Sequence, residues 1–391
     1  MQAFQFSLPT KVYFGNDQLT HLPDVLAQYG HKVLLTYGGG SIKKTGLHQE
    51  LMNLLQDFEI VEFGGIEPNP RVETLQKGGD LAKEVQPDVI LAVGGGSTID
   101  CSKGISALPF YEGKAWEMVM DARHNNQAIT KAIPLVTILT LSATGSETNA
   151  AAVVQNDELR IKAGFYSPHF IPKASFMIPR LTYTVPTFQT AAGSADIMSH
   201  IFEVYFRQEQ YMIPTEFAES LLRTVIHYAP IALEQPDHYE ARANLMWAGS
   251  LAINGLIAAG QSKEKWSCHA MEHELSAHYD ITHGAGLALL IPHWMRHVLN
   301  DDTLDTFVRY GIKVWDIDAN QLKQEIANQA IDLTEDFFKN TLQIPMKLSD
   351  YGINEEKFEV MAKQAVELGN LHLAYVPLNE EDVLTIYNKA L

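Results

Sequence analysis

The stretch DVILAVGGGSTIDCSK, Asp88–Lys103, sets the fold class. It opens on a continuous apolar run with none of the alternation of a strand that has one wet face. A strand that reads this way is buried on both faces, as in a parallel sheet covered by helices. Three glycines then turn the chain, and the residues after them can start a helix. The same signals recur outward. Lys32–Tyr37 (KVLLTY) and Ile133–Leu139 (IPLVTIL) are further apolar runs that end in glycine or small polar residues, and Gly46–Asp57 and Val72–Val85 carry apolar residues at helical spacing. Strand, tight turn, helix, strand predicts a layered α/β sheet. From about Pro186 the strand signal fades, and helical patterns broken by Pro, Gly and Asn run to Leu391. The expected organisation is an α/β domain with a parallel, Rossmann-like sheet over residues 1–185, an all-helical domain over residues 186–391, and a cleft between them.

Composition limits what such a chain can do. Of 391 residues, 46% are hydrophobic and 19% charged, which excludes a mainly disordered or collagen-like protein. Asp and Glu number 47 against 29 Lys and Arg, for a formal charge of −18. Such a chain repels a phosphate backbone, so no nucleic-acid partner is expected, and an anionic ligand needs a local basic or backbone-amide site. Two cysteines, Cys101 and Cys268, are too few for a disulfide framework and fit a reducing cytoplasm. No run approaches the roughly 20 apolar residues of a membrane span. The opening stretch MQAFQFSLPTKVYFG has no basic region followed by a long apolar one, so no secretion signal and no membrane role are expected.

The glycines after the central strand, Gly94, Gly95 and Gly96 with Ser97, let a ligand approach the backbone, and the next helix offers free N–H groups to a pyrophosphate. The spacing is not G-x-G-x-x-G, and a turn that merely packs is the alternative. A second loop, Gly38-Gly39-Gly40-Ser41 followed by Ile42-Lys43-Lys44, also leaves a strand. Many dinucleotide sites hold the ribose 2′-OH with an acid near such a strand end. Here glycines and two lysines stand there, which suits a 2′-phosphate and so NADP(H) over NAD(H); two solvated surface lysines are the alternative. A third turn is dense in hydroxyls, with Thr137, Thr140, Ser142, Thr144 and Ser146, which either line a phosphate or ribose or cap the next segment.

Six of the 15 histidines lie between His269 and His297. Upstream, in GSADIMSHIFEVYF, Asp196 and His200 are four apart and share a helix face with Glu203. Downstream, KWSCHAMEHELSAHYDITHG offers His269, His273, His278 and His283. One carboxylate with two or three imidazoles gives a divalent metal site open to an outside ligand. Cys268 reads as a core thiol. His269-Ala-Met-Glu272-His273 also matches H-x-x-E-H, so a metallohydrolase using the same histidines is the rival function.

Taken together, YGGGSIK, AVGGGSTIDCSK, LTLSATGSE, TVPTFQTAAGSADIMSHIFE, ARANLMWAGSLAINGL and KWSCHAMEHELSAHYDITHG resemble the iron-containing (group III) alcohol dehydrogenases, and among them the clostridial-type NAD(P)H-dependent butanol dehydrogenases. The resemblance spans essentially the whole chain. It implies a dinucleotide-binding α/β domain followed by a helical metal-binding and catalytic domain, the dehydroquinate synthase-like architecture. It implies metal ligands at Asp196, His200, His269 and His283 for iron(II) or zinc. It implies cofactor contacts at Gly94–Ser97 with Asp100, at Thr137, Thr140 and Ser142, and at Asn149, Lys162 and Leu181. NAD-preferring relatives have an aspartate near the Gly39 position; this chain lacks it, which favours NADP(H). The implied substrates are small aliphatic alcohols and aldehydes such as butanol and butanal, the implied assembly a homodimer. His273 and His278 are the titratable groups nearest the ligands, and His273, one turn after His269, is expected to relay a proton rather than bind the metal.

Overall fold

A computed structural model describes residues 1–125 and 127–391, which divide into two compact units, one of Ser7–Val185 and the other of Met1–Phe6 with Pro186–Leu391. The first six residues therefore belong with the helical unit, not with the sheet as the expected boundary had them. The Gln2 N–H donates to the Gly260 carbonyl at 2.9 Å, which ties that segment down.

In the unit Ser7–Val185, the strands β1 (Lys11–Phe14), β2 (Lys32–Tyr37), β3 (Glu59–Phe63), β4 (Val89–Gly94), β5 (Leu135–Leu139) and β8 (Ala174–Met177) form one sheet, while β6 (Ala151–Asn156) and β7 (Ile161–Tyr166) form a separate antiparallel hairpin. The order is β1-β8-β5-β4-β2-β3, and every neighbouring pair is parallel. All residues of β4 and β5 are buried, as their unbroken apolar runs require. From β2 the chain moves outward to β3, returns to place β4 on the other side of β2, and continues to β5. The carboxyl ends of β2 and β4 are thus the switch point of the sheet, where open α/β folds bind ligands. The helix Gly96–Ala107 follows β4 directly and is buried except at Ser97.

The other unit is helical. Its central helix, Thr187–Tyr205, is buried without a break from Thr190 to Tyr205. Such a helix meets neighbours all round, and it packs against Met212–Glu234, Tyr239–Ile253 and His283–Val298. Small residues on its first turns, Ala191, Ala192 and Gly193, admit the last of these closely. A Cβ on Gly284 would stand 1.9 Å from the Ala192 carbonyl oxygen. Among the described residues, no helix is long and apolar enough to cross a membrane.

That approach yields a prediction. Gly284→Ala forces two backbones apart and should destabilise the unit by about 2 kcal/mol or more, in the range of overpacking. Urea unfolding followed by circular dichroism measures the loss, and an unchanged midpoint would refute the packing argument.

Candidate metal centre and dinucleotide loops

The central helix places Asp196 and His200 one turn apart on a face that is 3% and 4% exposed. The helix Ser267–Tyr279 brings His269, and the helix His283–Val298 begins with His283. The Asp196 Oδ1 lies 3.7 Å from the Nε2 of His200 and 3.7 Å from the Nε2 of His283. Donor atoms of Asp196, His200 and His269 all fall within 4.8 Å of one another, and the His200 and His269 rings stack with centroids 4.9 Å apart. Separations of this size suit donors held about 2.2 Å from one shared centre in a tetrahedron. Two buried atoms in this group, Asp196 Oδ1 and His269 Nε2, have no hydrogen-bond partner, and they lie in one cluster with His200. Buried polar atoms are rarely left so, and this donor set fits a divalent metal. Burial, against the pull of Asp196, lowers the His200 pKa to about 3, so its ring is neutral and keeps a lone pair for coordination.

Carboxylates stand behind two of the imidazoles. Glu203 accepts from the backbone N–H of Ser267 and of His269, and its Oε1 lies 3.2 Å from His269 Nδ1. It fixes both the start of that helix and the direction of the His269 ring. Glu272, fully buried, closes on His283 Nδ1 and on the Ser276 hydroxyl. Such backing orients a ligand ring and raises its basicity. Sequence reasoning noted Glu203 only as sharing a helix face, and met Glu272 only as part of the hydrolase pattern. A hydrolytic base must face a water at the metal; Glu272 instead faces the distal nitrogen of His283, which removes that rival. Donor atoms of Glu272, His273 and His283 form a second set within 4.8 Å of one another, and the His273 ring centroid lies 5.7 Å from that of His283 and 6.4 Å from that of His269. His278 joins neither set: its Nε2 lies 3.2 Å from Gln364 Oε1. Cys268 is buried in the hydrophobic core.

The two glycine loops meet at the switch point of the sheet. Gly94 and Gly96 are sterically required, because a Cβ on either would fall 2.5 Å or less from a side-chain atom of Thr98 or Thr144. Around Gly39 and Gly40 a Cβ would meet nothing within 4 Å, and Gly40 has φ +95°. Lys43 is not a free cation: its Nζ is 3.1 Å from Glu62 Oε2 and sits 5.0 Å from the Tyr37 ring centroid.

Of the other expected contacts, Thr140, Ser142 and Leu181 are half-buried. Thr137 is fully buried and its hydroxyl is 2.7 Å from that of Ser175. Asp100 accepts from the Ser146 hydroxyl and the Val153 N–H, inside rather than at the loop surface. Lys103, which sequence reasoning passed over, organises this layer. It is fully buried and donates to Ser146 Oγ, Asn149 Oδ1 and the Ala151 carbonyl. Asn149 thereby braces the turn, and its amide also donates to the Gly145 carbonyl. Burial lowers the Lys103 pKa to about 8, opposed first by Asp100 and then by Glu147; burial raises that of Asp100, opposed first by Lys103 and then by the Ser146 hydroxyl, the Val153 N–H and Lys162. Lys162 is buried on β7. For Lys103 the available signal was its position, three residues after Asp100 on a buried helix.

Clustered Asp and His donors in a helical unit, and glycine loops at the switch point of a parallel sheet, are the combination expected of a nucleotide-dependent oxidoreductase with a metal site. Comparison with known proteins gives the family. Residues 9–179 match iron-containing alcohol dehydrogenase, and residues 190–391 match its C-terminal domain. NADH-dependent butanol dehydrogenase A of Clostridium acetobutylicum is 50% identical over 100% of both chains, and the NADPH-dependent aldehyde reductase YqhD of Escherichia coli is 37% identical over 95% of each. The crystal structure of NADH-dependent butanol dehydrogenase A from Thermotoga maritima superposes with a TM-score of 0.93 at 35% identity, covering 100% of this chain and 99% of that one. The chain belongs to the iron-containing alcohol dehydrogenase family and is an NAD(P)-dependent oxidoreductase.

The buried Lys103 supplies a second prediction. Lys103→Met leaves Asp100 without its counter-charge and should cost about 3–5 kcal/mol, the penalty of an orphaned buried charge. Denaturant unfolding tests it, and a loss under about 1 kcal/mol would show that Asp100 is neutral in the folded protein.

Proposed function

We propose that this enzyme is a metal-dependent alcohol dehydrogenase and aldehyde reductase for small aliphatic alcohols and aldehydes such as butanol and butanal, with NADP(H) as its preferred nucleotide. The observation that carries the reading is the set of partnerless buried donors, Asp196 Oδ1 and His269 Nε2, beside the Nε2 atoms of His200 and His283. These four residues would hold iron(II) or zinc. When bound there, the metal supplies Lewis acidity to a carbonyl oxygen. Glu203 and Glu272 keep two of the rings aimed at it. The reaction joins an aldehyde, a reduced nicotinamide and a proton to give the alcohol and the oxidised nucleotide. His273, beside His283 yet outside the four ligands, passes the proton between solvent and the substrate oxygen.

The backbone N–H groups at the start of the helix Gly96–Ala107 bind the pyrophosphate. The open space at Gly39 and Gly40 and the missing acid on that loop support a 2′-phosphate. A second reading, NADH, has its own observation: Lys43 is engaged with Glu62. The names of relatives divide the same way, NADH for the 50% identical butanol dehydrogenase and NADPH for YqhD.

Purified enzyme mixed with butanal should consume NADPH with a higher kcat/KM than NADH, lose that activity on chelation, and regain it with iron(II) or zinc. No nucleotide oxidation under any of these conditions defeats the reading, and a higher kcat/KM with NADH reverses the preference. Asp196→Ala and His269→Ala should abolish bound metal, measured by elemental analysis. His273→Ala should keep the metal while kcat falls roughly 100-fold, the scale of a lost proton relay. Unchanged kcat with lower thermal stability would make His273 structural, and lost metal would make it a ligand.

A further inference from the structure

The acid that the glycine loop lacks stands one strand away. Glu62 lies near the carboxyl end of β3, which pairs with β2 so that Leu35 is opposite Glu62. Its carboxylate gathers three partners: the Tyr37 hydroxyl donates to Oε2 at 2.7 Å, Lys43 Nζ lies 3.1 Å from Oε2, and His48 Nε2 lies 3.1 Å from Oε1. Tyr37 is the last residue of β2 and immediately precedes Gly38. The chain just after β3 also braces the loop, with the Gly65 N–H on the Gly38 carbonyl at 3.1 Å and the Ile66 N–H on the Tyr37 carbonyl at 3.2 Å. The side chains of Lys43 and Glu62 are 50% and 36% exposed, so the ion pair alone is weak. Three partners on one carboxylate, with the ammonium also over the Tyr37 ring, give it a defined place. The Tyr37 hydroxyl, then Lys43 and His48, hold the Glu62 carboxyl well below its ordinary range, at about 2.

We infer that Glu62 sets the balance between the two dinucleotides by holding Lys43 against Tyr37, which withholds that cation from a 2′-phosphate at the Gly38–Ser41 loop. This rests on the nucleotide reading of the glycine loops proposed above. A carboxylate on a neighbouring strand then does by competition what an acid on the loop does by direct contact. Of the two lysines after Ser41, Lys43 is the one Glu62 engages. Releasing it should add a phosphate-binding charge without touching the site of NADH.

The test is a double-mutant cycle on the metal-loaded enzyme, reading the ratio of kcat/KM for NADPH to that for NADH with butanal. The ratio comes from one preparation at a time, so partial loss of folded protein cancels. Glu62→Gln keeps the shape and a partner for the Tyr37 hydroxyl, and it should raise the ratio about fivefold, the scale of one partly exposed charge contact. Lys43→Met should change the ratio little in the wild type and should erase the gain in the Glu62→Gln background. Glu62→Asp should stay near wild type. An unchanged ratio in Glu62→Gln, with both nucleotides still used, overturns the inference and leaves the nucleotide reading standing. An equal rise in the presence and absence of Lys43 overturns it too, since Glu62 would then act by its own charge. Calorimetry with ADP and adenosine 2′,5′-bisphosphate separates the two levels: if the wild-type enzyme binds neither, both the loop assignment and the role of Glu62 fall together.

Discussion

Where Gly284 meets the carbonyl of Ala192 there is no room for a side chain, and two buried helices approach as closely as their backbones allow. That contact lies one residue after His283 and one turn before Asp196, so the packing of the helices and the convergence of the donors are a single event. The glycine two positions on acts similarly. A Cβ on Gly286 would press on Glu272 Cγ at 2.9 Å, so its absence gives the carboxylate behind His283 its place. From Thr190 on, the central helix is buried all round, its polar residues with the rest. What would be errors in a core, an aspartate and an imidazole without partners, are tolerated because the surrounding helices are held by contacts that do not depend on them.

The two units handle charge in opposite ways. In the helical one, burial keeps His200 neutral, and two further carboxylates are placed behind the rings instead of beside the donors. Negative charge is concentrated there, which suits a cation and repels an anion. In the sheet unit the proposed ligand is an anion, inside a chain of formal charge −18. The backbone accommodates it: three glycines open the start of a helix, and a buried lysine locks the hydroxyl-rich turn against it. Lys103 also shields the buried Asp100 from within, so the loop surface is left to N–H groups.

The sequence was readable where burial leaves a period in it. β2, β4 and β5 are covered on both faces, and their apolar runs stand out against the polar helices. β1 and β8, four residues each, carry too few side chains on one face to show alternation, and the β6–β7 hairpin mixes buried Lys162 and Gln155 with its apolar residues, so all four went unread. The grouping of Asp196, His200, His269 and His283 came from residue type, helix spacing and family resemblance; the structure gathers donor atoms of the first three in one buried cluster, with His283 Nε2 3.7 Å from Asp196 Oδ1. The Glu272–His283 contact was not legible, because it joins different helices and is fixed by a glycine on the second of them. Glu62 escaped for the same reason. Its partner Lys43 is nineteen positions earlier, and only strand pairing makes the two neighbours.

Met1–Phe6 clusters with Pro186–Leu391, while Ser7–Val185 forms a unit by itself. Synthesis on the ribosome therefore produces the pieces in an awkward order. The sheet unit is one contiguous run and can fold as it emerges, since domains generally fold as units from the N-terminus. The six residues ahead of it are made before their partner, because the Gly260 carbonyl that receives the Gln2 N–H is made only after the whole sheet unit. For that interval Met1, Phe4 and Phe6 trail in water without their place on the helical unit. Docking of that segment is thus a late step, which waits on the chain that follows the sheet unit.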